Sequence, residues 1–511
     1  MRLRTLIIAV LALTGCPGGG GLIGDHCSAQ NECASELQCF SGTCTERCVR
    51  APECGDGYEC NAAGLCIAAT GQEGDSCDSE VQCSAGLACQ IEAAATSDTG
   101  KLVASCVPEN AGRPAAAACS KDGECRNGTC ELGHCIDLCQ ETRDCGAGTS
   151  CTQLPRLPAS GHMFSGCLQS TGALSWTIPI TGPASDVPLP IPASARSLSV
   201  LFTVEDQNQK VGATEIFAPG GVPLMSSGVP FGYYDNPYVR HRPEFGQSVL
   251  AIPSTPLHDL QAGLYRLTVR SLRPRPDPLD PTHLIDVTGT ATPSMTAVIK
   301  LGYGRTLDLH FYFLNLDDHP CGDRFANKLD ATTAQDATFF SSYLEELSRI
   351  FAPAFKIETV TYEDLRDHPD LDGLDVSNAS ALLSLGKHST GINVFFVRTL
   401  SPVGLQAIGP NPGPAGLAGT RQSGVIIGVD TLCYRSWNDL ARLTAHELAR
   451  YMGLYRNVEE DPLFPDEDHL HRDPIIDSDD SPSNLMFYSE LGGTDLSFGQ
   501  ADILSRSAVL R

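Results

Sequence analysis

The chain has 511 residues, enough for three or four domains of ordinary size. Hydrophobic residues make up 42% and charged residues 19%, proportions that are typical of a folded chain and exclude a largely disordered one. The formal net charge is −26 and no basic tract is present, so we expect no nucleic-acid partner.

The amino terminus predicts export and a lipid anchor. Two arginines precede an apolar run at 6–13, which is far shorter than the ~20 residues of a membrane-spanning helix. The sequence Leu-Thr-Gly-Cys at 13–16 resembles a bacterial lipobox. That resemblance implies that Cys16 carries the lipid and, because Pro17 follows it instead of Asp, that the protein reaches the outer membrane. An ordinary secretory signal with an unrelated cysteine is the alternative.

Cysteines are concentrated near the amino terminus. Of 23, twenty lie between Cys27 and Cys167, a density that requires an oxidising compartment. They fall into blocks of eight, four and eight with recurrent five-residue intervals, so each block can close on itself. Their connectivity stays open, since eight cysteines allow 105 pairings. The repeats resemble Dickkopf-type cysteine-rich domains, which implies a binding module; a rigid spacer is the alternative.

The segment 172–292 lacks cysteine and shows period-two patterns. Residues 198–204 and 264–269 alternate as strands do, and clusters of Gly and Pro bound them. Short strands at this spacing predict a β-sandwich. No catalytic pattern occurs there.

Residues 294–511 alternate strand and helix. The runs 392–397 and 425–429 are continuously apolar, as in strands covered on both faces, and residues 437–454 have helical spacing. This order predicts an α/β (α+β) domain with crossover helices.

One helix carries the most specific motif. Its residues 444–456 resemble the long zinc signature of the metzincin metallopeptidases, H-E-x-x-H-x-x-G-x-x-H. His446, Glu447 and Gly453 match the first zinc ligand, the general base and the turn glycine. Arg450 and Arg456 occupy the other two ligand positions. Since an arginine is always protonated and has no lone pair to offer, tight zinc binding is not expected.

The resemblance extends beyond that helix. Met486, within 484–487, matches the Met-turn that lies beneath the metal in metzincins, and a closing helix follows through 506. The match covers 294–511. Glu447 is therefore expected to be a vestigial general base that forms a helix ion pair with Arg450, three residues later.

Two features leave alternatives open. His469 and His471 lie in an acidic loop and would complete a different zinc site if they approached His446; a solvated loop is the other interpretation. Cys321 and Cys433 are the only cysteines of the last domain, and we expect them to form a disulfide that joins its first strand to the motif helix.

The sequence thus predicts a multidomain protein with disulfide-rich modules, a β-sandwich and a metzincin-like domain. Its expected function is non-catalytic binding or scaffolding at the outer membrane, with a protein or peptide partner and no cofactor. The alternatives are a zinc metallopeptidase with non-standard ligands and a cysteine-rich adhesion protein. The expected segments are a signal peptide at 1–16, a Gly-rich tether at 17–24, cysteine-rich repeats at 25–168, a sandwich at 172–292 and the metzincin-like domain at 294–511.

Overall fold

The structure is a computed structural model. It describes residues 22–34, 37–96, 102–156, 162–229, 235–282, 284–314, 321, 329–409, 423–460, 470–488 and 492–511. Cys16 and the segment before residue 22 lie outside this range. Within the described part of the chain, no helix has both the length and the apolar character needed to span a bilayer.

The predicted disulfide-rich repeats are confirmed, and they divide into five modules of four cysteines. In every module the first cysteine pairs with the third and the second with the fourth, and no bridge links two modules. A single 3-10 turn precedes the second cysteine of each module. The bridges are Cys27–Cys39, Cys33–Cys44, Cys48–Cys60, Cys54–Cys66, Cys77–Cys89, Cys83–Cys106, Cys119–Cys130, Cys125–Cys135, Cys139–Cys151 and Cys145–Cys167.

A β-hairpin explains the unequal spacing of the last two cysteines in each module. These two cysteines are direct cross-strand partners in all five hairpins, whether the hairpin is short, as at Cys39 and Cys44, or long, as at Cys89 and Cys106. A longer interval therefore lengthens the hairpin arms without changing the pairing. The strands are β1 (Gln38–Phe40), β2 (Thr43–Thr45), β3 (Tyr58–Cys60), β4 (Cys66–Ala68), β5 (Leu87–Thr96), β6 (Leu102–Pro108), β7 (Cys130–Glu131), β8 (His134–Cys135), β9 (Thr149–Pro155) and β10 (Met163–Gln169).

The row of modules folds back on itself. Arg50 of the second module donates through Nη1 to three carbonyl oxygens of the fifth module, those of Cys145, Gly146 and Thr149, at 2.7–3.1 Å. Arg143 of the fifth module in turn donates to the carbonyl of Asn61 at 2.8 Å. The second and fifth modules are therefore in direct contact, although the third and fourth modules lie between them along the chain.

Two antiparallel sheets follow and enclose one hydrophobic core. The first sheet has the order β11-β21-β13-β18-β16. The second has the order β12-β19-β14-β15, with β17 on β14 and β20 on β19. The strands are β11 (Gly172–Ile178), β12 (Ala184–Ile191), β13 (Ala195–Thr203), β14 (Lys210–Ala218), β15 (Val222–Met225), β16 (Arg240–His241), β17 (Glu244–Phe245), β18 (Gln247–Ile252), β19 (Gly263–Pro276), β20 (Leu284–Thr288) and β21 (Ser294–Leu301).

The strand β21 lies inside the sandwich, so the sandwich extends past the boundary expected between 292 and 294. β21 pairs with both β11 and β13. Met295 and Ile299 face the sandwich core, whereas Val298 joins the core of the last domain. Burial on both faces allows three apolar residues in succession at 297–299, which interrupts the period-two pattern of a sandwich strand.

The last domain contains a five-stranded sheet of order β23-β22-β25-β28-β27, in which only the edge strand β27 is antiparallel to its neighbour. Two small two-stranded pairs, β24 with β26 and β29 with β30, lie outside it. The elements are β22 (Thr306–Phe313), α1 (Ala331–Asp336), α2 (Thr338–Phe351), β23 (Lys356–Asp364), β24 (Gly373–Asp375), α3 (Ala379–Leu383), β25 (Ile392–Val397), β26 (Thr399–Ser401), β27 (Ala407–Ile408), β28 (Val425–Gly428), α4 (Trp437–Tyr451), β29 (Val458–Glu460), β30 (Leu470–Arg472) and α5 (Phe498–Ser505).

Two contacts fix α4 against the rest of this domain. Tyr343 of α2 donates through its hydroxyl to Thr444 Oγ1 at 2.9 Å, inside the core. A disulfide joins Cys321 and Cys433, and the latter lies immediately before α4. The motif helix is therefore held at its start and along its inner face.

Polar contacts join the sandwich to the last domain. Arg240 of β16 is buried, donates to the carbonyl of Leu454 and stacks its guanidinium 4.0 Å from the centre of the Tyr455 ring. Ser197 of β13 donates to the carbonyl of Arg506 at 2.6 Å. The segment that follows α4 is therefore held in place by contacts with the sandwich.

Candidate functional site

The helix α4 carries the motif residues His446 and Glu447, and both are buried. Ser436 caps its first turn by accepting from the backbone N–H of Asp439, and the Asp439 carboxylate accepts in return from Ser436 N at 2.9 Å. His446 and Glu447 follow on the buried side and are each 5% exposed. Adjacent residues of a helix diverge by about 100°, so burial of both requires packing on two sides.

His446 has a fixed orientation. Its Nδ1 lies 2.8 Å from the carbonyl oxygen of Leu485. Because a carbonyl only accepts, Nδ1 carries the proton and Nε2 keeps its lone pair. Burial lowers the pKa of His446 to about 4, so the imidazole is neutral near pH 7. The residue lines a cleft beside the helix.

Glu447 forms the ion pair expected from the sequence. Arg450 Nη1 lies 3.4 and 3.3 Å from its two carboxylate oxygens. The pair places a guanidinium against the carboxylate at the helix position where the signature has its second zinc ligand. Gly409 approaches from the other side, since a β-carbon on it would lie 2.8 Å from Glu447 Oε2.

The chain turns away from α4 at Gly453. This residue has φ of +116°, a backbone region that residues with a β-carbon rarely adopt, and Leu454 N donates to Ala449 O at 3.0 Å across the turn. The turn carries Arg456 to the cleft. Arg240 holds Leu454 on one side, and Asn457 N donates to Met486 O at 3.1 Å on the other.

The turn around Met486 supports both His446 and Asn457. Met486 is fully buried, and its N–H donates to Asn484 Oδ1 at 2.8 Å. The Asn484 amide in turn donates to Gln500 Oε1 on α5 at 3.0 Å. Through these bonds the last helix fixes the turn, and the turn fixes the imidazole.

The cleft has a volume of about 220 Å³ and is open to solvent on one side. Its lining comes from α4, from the strand β27 and the residues before it, from Arg456 and from the two residues after Met486. Its lining residues are Gly404, Gln406, Ala407, Arg442, Leu443, His446, Glu447, Arg456, Phe487 and Tyr488.

The residues of this cleft do not fit a catalytic zinc ion. Such an ion takes three protein ligands with lone pairs, whereas His446 supplies one and Arg450 and Arg456 supply none. Among the described residues, the only groups of three His, Cys, Asp or Glu ligand atoms within 4.8 Å of one another are cysteines of the disulfide modules. His471 lies on β30, where it pairs with Glu459 of β29, and belongs to no such group. His469 lies outside the described residues.

Three residues of the site were not identified from the sequence. Arg442, a residue of α4, donates to the carbonyls of Gly493 (3.2 Å) and Leu485 (3.4 Å). These hydrogen bonds hold the turn around Met486 against the helix. Arg240 and Gly409 reach the site from remote parts of the chain. Only Arg442 has a sequence signal, since a charged residue one turn before His446 interrupts the apolar face of the helix.

Comparisons with known proteins give little more. No protein-family model matches the chain, and no curated protein matches it. One solved structure that it resembles is an acetyl xylan esterase (Est2A) from the rumen bacterium Butyrivibrio proteoclasticus, at 10% identity and a TM-score of 0.14. The match covers 43% of this chain and 49% of the esterase, so the chain spans about half of that protein. A likeness of this extent carries no inference about fold or activity.

Proposed function

We propose that the protein is a non-catalytic, metzincin-like binding protein whose zinc has been replaced by arginine charge. The observation that carries this proposal is the ion pair between Glu447 and Arg450, at 3.3 Å. In the metzincin pattern the glutamate acts on a zinc-bound water. Here its carboxylate is neutralised by the residue that stands where the second ligand belongs.

The surroundings of the ion pair support a cleft that still holds a peptide. The strand β27 is the edge of the described sheet, and Gln406 and Ala407 line the cleft beside Glu447. An extended peptide can add to an exposed sheet edge through main-chain hydrogen bonds. The ligand would then lie between β27 and α4.

The proposed location rests on the sequence alone. The lipobox-like residues 13–16 would place a lipid on Cys16 and tether the modules to the outer membrane, facing the periplasm or the exterior. Incorporation of radiolabelled palmitate into the wild type, and its loss in Cys16→Ser, would support this anchor. Equal incorporation in both proteins would contradict it.

Hydrolysis of a quenched fluorescent peptide library by the purified full-length chain tests the absence of catalysis. We expect no chelator-sensitive hydrolysis in the presence of zinc, and the same background rate in Glu447→Gln. Hydrolysis that requires both zinc and Glu447 would contradict the proposal, because the glutamate would then act as a general base.

One observation favours a second function, a zinc peptidase with non-standard ligands. A metal-bound histidine commonly donates its other N–H to a backbone carbonyl, as His446 does to Leu485. His469 would have to supply a further donor. If so, His469→Ala would abolish any zinc-dependent hydrolysis.

A further inference from the structure

We propose that an exposed apolar patch beside the start of α5 is the docking surface for a protein partner that presents an apolar centre bordered by Lys or Arg. The patch consists of Leu257, Ile476 and Phe498, which are 62%, 80% and 93% exposed. None of the three lines the cleft beside α4. This surface is therefore additional to the proposed peptide site and does not depend on it.

Three separate segments of the chain meet at Gly499, and each carries one residue of the patch. A β-carbon on Gly499 would lie 3.3 Å from Pro256 Cγ, 2.6 Å from Ile475 Cγ2 and 2.5 Å from Asp477 Oδ1. In the sequence Pro256 directly precedes the first patch residue, Ile475 and Asp477 flank the second, and Gly499 follows the third. The three apolar residues are therefore spatial neighbours that the fold brings together from the sandwich and the last domain.

The backbone that carries Phe498 is fixed. Ser497 caps α5 by accepting from Gln500 N at 3.1 Å. The Asp477 carboxylate accepts from Ser497 Oγ and from Gly499 N, each at 2.9 Å. Phe498 is thus exposed at the first position of a capped helix, so little backbone entropy is lost when a partner covers it.

Contiguity distinguishes the patch from ordinary surface residues. Single exposed apolar side chains are normal on soluble proteins, whereas a continuous apolar patch with a polar border marks an interaction surface. Aromatic residues such as Phe498 are enriched at the cores of such surfaces. The patch therefore has the composition of an interface centre.

The border of the patch is negatively charged. Within four positions of a patch residue in the sequence lie seven carboxylates and one arginine, namely Asp259, Asp473, Asp477, Asp479, Asp480, Asp495, Asp502 and Arg472. Arg506 adds a second cation, since it pairs with Asp259 at 2.9 Å and with Asp502 at 2.8 Å. Burial raises the pKa of Asp473 to about 7 and lowers that of His258, so neither changes the sign of the border near pH 7.

This negative border selects among the possible partners. A second copy of the chain would bring the same carboxylates to the interface, and a surface of anionic lipid would be repelled in the same way. A protein with Lys or Arg around an apolar centre complements both parts of the surface. Its charges favour encounter and orientation, and its apolar centre supplies the burial that holds the complex together.

Fluorescence polarisation with three labelled amphipathic helical peptides, on the full-length chain, tests the inference. The first peptide has an apolar stripe of Leu bordered by Lys, the second replaces every Lys with Glu, and the third keeps Lys but replaces Leu with Ser. We expect the first to bind at least about tenfold more tightly than either of the others. Its affinity should fall as the ionic strength rises, because salt screens the charges of the border.

Variants of the chain locate the binding surface. The double variant Ile476→Ser with Phe498→Ser should weaken binding of the first peptide about tenfold or more. Leu279→Ser is the matched control, since Leu279 is 94% exposed but lies beyond the opposite end of β19 from Leu257, and it should bind as the wild type does. Equal affinity in the wild type and the double variant would overturn the inference. A dimer in sedimentation velocity that the double variant abolishes would also overturn it, because the occupant would then be a second copy of the chain.

Discussion

The imidazole Nδ1 of His446 lies 2.8 Å from the carbonyl oxygen of Leu485, and this one bond couples the motif helix to the turn around Met486. It fixes the tautomer, so Nε2 keeps its lone pair, and the residue lines the cleft. The arrangement would suit a metal ligand, yet the two positions that should complete a metal site hold Arg450 and Arg456. The described geometry therefore combines one histidine with a fixed tautomer and an ion pair between Glu447 and Arg450.

Removing Arg450 alone should destabilise the protein. Arg450→Met leaves the Glu447 carboxylate buried without its cation, and we expect a loss of about 2 kcal/mol in the free energy of unfolding. The double variant Glu447→Gln with Arg450→Met should recover most of that loss. Denaturant unfolding of the full chain measures both. Additive losses in the double variant would show that the pair does not interact.

Arg240 should act on the cleft through the Leu454–Tyr455 segment. In a chain that carries Arg450→His and Arg456→His, Arg240→Met should weaken zinc binding about tenfold, the usual effect of losing a positioning contact. Arg240→Lys should retain part of the affinity because it keeps a donor for the Leu454 carbonyl. A zinc competition titration provides the measurement. Unchanged affinity in Arg240→Met would mean that the sandwich does not position this segment.

Glu80 should make the cysteine modules less stable at alkaline pH. Burial, with the nearby Asp137, raises the pKa of Glu80 from 4.5 to about 8. The folded state therefore keeps a proton that the unfolded state has lost, and the free energy of unfolding falls as pH rises from about 4.5 to about 8. We expect a decrease of at most about 5 kcal/mol, from a rise of the pKa at about 1.36 kcal/mol per unit.

The variant Glu80→Gln isolates this effect from other titrating groups. Its unfolding free energy should fall less than that of the wild type between pH 5 and pH 8.5. Curves that stay parallel over this range would show that Glu80 titrates at its ordinary pKa.

The disulfide between Cys321 and Cys433 should contribute strongly to stability. It closes a loop with a sequence separation of 112 residues, and a loop of this length is worth about 4–5 kcal/mol in the chain-entropy treatment. The double variant Cys321→Ser with Cys433→Ser should unfold at a correspondingly lower denaturant concentration, with the ten module bridges intact. A midpoint equal to that of the wild type would mean that the loop is already constrained when unfolded.

The sequence was sufficient to predict the disulfide modules and the change to sheet-rich domains, because cysteine spacing and period-two patterns are local signals. It also indicated that His446, Glu447 and Arg450 share a helix. It left the module pairing open, since pairing depends on which cysteines face each other across a hairpin. The sequence placed β21 in the last domain, whereas the strand belongs to the sandwich. Its burial on both faces obscures the period-two pattern that marks a sandwich strand. Contacts such as Arg240 with Leu454 join residues that no local pattern connects.

Metal content of the purified full-length chain, folded with zinc and measured by elemental analysis, tests the central claim most directly. The wild type should contain no stoichiometric zinc, and the variant with Arg450→His and Arg456→His should contain one zinc per chain. That pair of results would mean that arginine has displaced the metal on an intact scaffold. One zinc per wild-type chain, lost in His446→Ala, would contradict the account and direct attention to His469 and His471 as ligands.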